Sequence, residues 1–184
     1  TSLKTNAPIR YLRRWHRYGL MLLSLDSRVR MIGQAVAPTP EDNMLILTVE
    51  GAAATRCCIM CEAAADLGRA GGSPEVLVME RRQVLLQPRL SNILTIWQAR
   101  TAAVDLTARF AVLELLASAP VRLGDPALRH IGVDRAFAAL LKLAVECVVE
   151  IDTQYPFGPD TQVRLVGDVS PTTGASHPGP WGIF

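Results

Sequence analysis

Three cysteines stand within five residues, Cys57, Cys58 and Cys61, while Cys147 lies far from them. Thiolates bind soft metals and exchange disulfides, so the run Thr55-Arg-Cys-Cys-Ile-Met-Cys-Glu62 is the first place to look for chemistry. Cys58 and Cys61 form a CxxC, and Cys57 and Cys61, four apart, would share one face of a helix. A zinc site needs a second ligand pair at matching spacing; none accompanies these, and His16, His130 and His177 are scattered. A thioredoxin-type CxxC opens a helix after a strand, whereas the Ala-rich surroundings here predict the middle of a helix. Buried structural thiols in a reducing compartment are the expected reading, with metal or redox work as the alternative.

Other chemistry-bearing groups are sparser. His130 lies near Asp125 and Arg129, but the members of a triad meet through the fold and not through sequence proximity. Glu146 and Glu150 would share a helical face near Asp152, without a His to complete a carboxylate metal site, and a solvated stripe is expected. Gly68-Arg-Ala-Gly-Gly-Ser73 follows a predicted helix and precedes a strand, the wrong order for cradling phosphate at a helix N-terminus. No GxGxxG, P-loop, HExxH, GxSxG or EF-hand loop occurs. No catalytic residue, metal ligand or cofactor is assigned.

The most concentrated pattern mixes Arg with aromatics: Arg10, Tyr11, Arg13, Arg14, Trp15, His16, Arg17 and Tyr18. Arg contacts phosphate bidentately and Trp or Tyr stacks on bases. Residues 1–30 hold seven basic residues against Asp26 alone, and the remainder twelve basic against sixteen acidic, so a net charge of +2 conceals one basic end. Such asymmetry suits an anionic partner. Further on, Leu45, Leu47, Val49, Gly51, Ala54 and Glu62 are similar to the strand, glycine and small-residue helix start of Alba-family chains. That resemblance covers under a third of the chain, lacks the family's basic loop and does not assign the chain to it; it implies nucleic-acid binding.

These residues need elements to hold them. With 184 residues, 49% apolar and 20% charged, the chain is long enough to bury a core without disulfide or metal, and it is neither disordered nor fibrous. No run of eighteen apolar residues exists, so no transmembrane helix is expected. The Arg-rich start, without an acid before Asp26, has the composition of an organellar transit peptide or of the mature sequence just after one, which predicts a mitochondrial setting.

Residues 1–10 read as an extended arm, and 10–25 as a basic amphipathic helix weakened at Gly19. Strands are expected at 28–36, 44–50, 75–79 and 83–87, and a small-residue helix at 52–67. The second half changes character. Ser91 is expected to cap a helix to about Ser118, with Asp105 and Arg109 as an i, i+4 pair; Asp125-Pro126 caps a short helix; Asp134 opens one to about Glu150; 161–169 adds a last strand. The Pro/Gly-rich end 170–184 reads as a second arm with apolar anchors.

The fold class expected is α+β: a small β-sheet with packed helices in the first half, a largely helical second half, and extended N- and C-terminal arms. The organisation expected is a basic arm and helix (1–27), one body (28–169) and a C-terminal arm (170–184). The leading functional expectation is a non-catalytic accessory subunit that meets protein subunits of a large assembly, with RNA or an anionic lipid surface as further contacts of the N-terminal arm. Partner contacts are assigned to Arg10, Arg13, Arg14, Trp15, Arg17, Trp181, Ile183 and Phe184. A nucleic-acid-binding module, RNA before DNA, and an enzyme of unrecognised family are the alternatives.

Overall fold

A computed structural model describes residues 4–37, 43–65, 67 and 76–167. The chain is α+β and divides after Leu86 into two compact units.

Unit 1 begins with residues 4–10, extended and tied to the first strand. The Ile32 amide donates to the Lys4 carbonyl (2.8 Å), and the Arg10 amide and carbonyl both bond the Gln34 side-chain amide. Helix α1 (Arg14–Leu25) follows, then β1 (Val29–Gln34), β2 (Leu45–Gly51), β3 (Thr55–Cys61), β4 (Val76–Glu80) and the single turn α2 (Arg81–Val84). The sheet order is β1-β2-β3-β4, antiparallel except for the parallel pair β3–β4. β1 is an edge strand, and the N-terminal segment covers it as edges usually must be covered. The register sets Leu45 opposite Met60 and Leu47 opposite Cys58, all four fully buried. Helix α1 lies close to β3 because Gly19 has no Cβ: one placed there would meet the Met60 thioether at 2.8 Å.

The helix expected at 52–67 is instead the second arm of a hairpin. Ala52–Ala54 turn, closed by the Gly51 amide on the Ala54 carbonyl (2.9 Å), and 55–61 pair with β2. The helical propensity of the flanking alanines does not extend through 55–61, where β2 offers ladder bonds to the backbone. The likeness to the Alba segment therefore ends at Gly51. The β-like run at 83–87 is also corrected: Glu80 and Gln83 form a capping box that starts α2.

Unit 2 contains α3 (Arg89–Gln98), a 3₁₀ turn (Ala99–Thr101), α4 (Leu106–Ser118), β5 (Val121–Arg122), α5 (Pro126–Ile131), α6 (Val133–Val145), β6 (Val149–Ile151) and β7 (Gln162–Leu165). The strands form an antiparallel sheet of order β5-β7-β6. The expected 91–118 helix is two helices. α3 starts before Ser91, whose amide and hydroxyl both donate to the Gln87 side chain. Asp105 opens α4 by accepting from the Thr107 amide (2.9 Å). Asp105 pairs with Arg135 and not with Arg109, which pairs with Glu146 at 2.6 Å. Asp125 and Pro126 start α5 as expected, with the Ala127 amide bonded at 2.8 Å.

The helix expected to reach Glu150 stops at Val145. Cys147 adopts φ 56°, and Val149–Ile151 turn to pair with β7. The solvated stripe becomes a set of ties: Lys142 donates to the Arg100 carbonyl (2.7 Å), Glu146 holds Arg109, and Glu150 takes Arg164 across the hairpin at 2.6 Å. Buried Asn92 of α3 donates to the Thr153 and Tyr155 carbonyls (3.0 and 2.7 Å), anchoring the loop between β6 and β7.

Candidate functional site

The Arg-rich segment divides between the chain leading into α1, which holds Arg10 and Arg13, and the first turn of the helix, where the helical period separates Arg14 and Arg17 from Trp15 and His16. Arg10, Arg13, Arg14 and Arg17 are exposed, while Trp15 and His16 point into the core. Arg13 bonds the Asn43 side chain (2.5 Å), and the Arg14 guanidinium stands 6.0 Å from the Tyr18 ring centroid. Trp15 is 6% exposed and packs edge-on against His16, ring centroids 4.3 Å apart. The displayed part of the predicted set is thus four guanidinium groups, without the indole. Trp181, Ile183 and Phe184 lie outside the described residues.

His16 is the unforeseen feature. It is 1% exposed, and neither ring nitrogen finds a partner with hydrogen-bond geometry. Burial lowers its pKa from 6.5; the nearby Asn43 backbone and the Glu62 carboxylate oppose this and do not overcome it. A lone His in an Arg-rich helix carried no signal of this, because its inward position depends on the register of α1 over the sheet.

The thiols behave as a strand, not a helix, places them. Cys58 faces the buried side, and desolvation, then its neighbours Cys57 and Cys61, raise its pKa, so it stays a thiol. Cys61 is buried, and Cys57 and Cys147 are half-buried. Among the described residues no group of three or more His, Cys, Asp or Glu is placed to hold a metal ion. Glu80, at the end of β4, accepts from the Ala64 amide (2.8 Å) and pairs with Arg82, which together hold its carboxyl below the usual range. Those contacts make Glu80 a structural acid.

In unit 2, α4, α5 and α6 pack against one another. α5 and α6 are joined at Gly132, whose φ of 98° permits the sharp turn. The β6–β7 hairpin follows directly, its ladder adjoining β5. Helix, strand, helix, turn, helix and hairpin follow in this order, with the third strand central, and α5 and α6 have a helix-turn-helix connectivity in which the N-terminal turn of α6 comes directly after Gly132. Val133, Asp134 and Arg135 are the exposed residues there, with Gln154 and Tyr155 on the hairpin loop. His130 is exposed beside them at the end of α5. Residues 87–167 carry eight basic and eight acidic residues, so this stretch lacks the net positive charge common in nucleic-acid-binding modules.

A second surface is on α4. This helix is apolar nearly all round yet buries only Ala108, Val112 and Leu116; Leu106 and Phe110 are 67% and 66% exposed. Among the described residues no helix is long and apolar enough to cross a membrane. No family model matches the sequence, and neither a curated protein nor a solved structure matches it.

Proposed function

We propose that this chain is a non-catalytic nucleic-acid-binding protein that contacts duplex DNA through the helix-turn-helix of unit 2 and phosphates through the exposed arginines at the start of α1. The observation that carries this reading is the α5–Gly132–α6 turn followed by the β6–β7 hairpin. It turns the expected preference from RNA toward duplex DNA, because a helix presented by its N-terminal turn fits a major groove that A-form RNA closes off. Arg10, Arg13, Arg14 and Arg17 give unit 1 exposed cationic groups of its own for phosphate contacts.

Fluorescence anisotropy with labelled duplexes tests the reading. Binding should weaken steeply with salt, and Arg13→Ala with Arg14→Ala should flatten the slope of log K against log salt by about 2. Arg135→Ala should weaken binding to duplex DNA more than to single-stranded RNA. Absence of binding at low salt, or an unaltered slope, would overturn it.

The accessory-subunit reading keeps one specific support, the exposed apolar face of α4, since contiguous apolar surface marks protein contact. It predicts migration of the chain as part of a large particle in native extracts, lost on Phe110→Ser. A mitochondrial setting remains a proposal resting on the acid-poor, Arg-rich start.

A further inference from the structure

Within unit 2 a cavity of about 420 Å³ opens between α5, α6 and the loops at 123–124 and 157–159. Its walls are apolar, chiefly Leu123, Leu128, Phe137, Leu140 and Phe157. Phe137 and Phe157 meet edge to face, centroids 6.2 Å apart. Arg129 alone of the lining residues is ionisable. It is exposed, and among the described residues it takes part in no ion pair. Asp125, one turn earlier, directs an oxygen at the Ala127 amide.

We infer that this cavity binds a small amphipathic carboxylate, its apolar body among the two phenylalanines and the leucines and its carboxylate on the Arg129 guanidinium. The volume lies in the range of small-molecule sites, roughly 300–1,000 Å³. Apolar walls reject a fully hydrated anion, while a planar guanidinium fork favours a carboxylate over a hydroxyl or amide of the same length. This inference rests on the cavity and Arg129, and it stands or falls separately from nucleic-acid binding.

The test is calorimetric titration of the full chain at pH 7, without nucleic acid, using octanoate, octanamide and octylamine. Octanoate should bind saturably and at least about tenfold more tightly than octanamide, and octylamine should bind most weakly. Arg129→Gln, at an exposed position with no ion pair among the described residues, should bring octanoate down to the octanamide level, with thermal unfolding confirming that the variant is folded. Ala136→Leu, which fills the cavity, should weaken both, with thermal unfolding confirming that the variant is folded. Equal binding of octanoate and octanamide, an unchanged affinity in Arg129→Gln, or no saturable binding at millimolar ligand would overturn the inference.

Discussion

Helices α1 and α4 are of similar length, and both carry long apolar stretches, yet α1 buries eight of its twelve residues and α4 three of its thirteen. Among the described residues of unit 1, α1 is the one helix longer than a single turn and packs on a four-stranded sheet, so nearly everything apolar on it is consumed, and His16 is carried inside with the rest. In unit 2 four helices share the task with a small three-stranded sheet, and α4 meets its neighbours along one narrow line. The apolar content of a helix thus says how much it could bury; the number of elements competing for the same core says how much it does. The surplus on α4 is available for a partner, whereas α1 has only its charged rim to offer.

Paired substitutions test that contrast most strongly. Leu22→Ala, on α1 at 1% exposure, should cost about 3 kcal/mol in chemical unfolding, while Phe110→Ala should stay within about 0.5 kcal/mol. Similar losses at the two positions would mean that the outer face of α4 is covered within the folded chain.

The next effect is a pH response attributable to unit 1. The pKa of His16 is lowered in the folded state, so the unfolded chain binds the proton more readily. The stabilisation is complete above the ordinary value of 6.5 and is lost as pH falls through 6.5 toward the folded value. Urea midpoints should decline from pH 7.5 to 5.5, and His16→Leu should remove most of that decline.

Smallest of the three is Gly19→Ala. Helix propensity gains about 1 kcal/mol, but the new methyl displaces the tip of buried Met60. The net change in stability should fall under about 1 kcal/mol. A gain of the full propensity term would show that α1 does not need the close approach that the absent Cβ permits.

The amino-acid sequence by itself determined the α+β class, β1, β2 and β4, the basic amphipathic α1, and the Asp125-Pro126 start of α5. These rest on local periodicity and capping chemistry, which act within a few residues. Tertiary structure alone decided that Thr55–Cys61 is a strand, since this Cys-rich run between two alanine triplets takes the conformation that satisfies the edge of β2. It likewise decided that α6 ends at Val145, because Val149–Ile151 bind β7 from residues 162–165. The site followed the same division. The exposed arginines were legible from their types and spacing, but the inward turn of Trp15 and His16, the helix-turn-helix and the Arg129 cavity were not. Each arises from groups distant along the chain, and the free energy that brings them together comes from burial and pairing that no local pattern encodes.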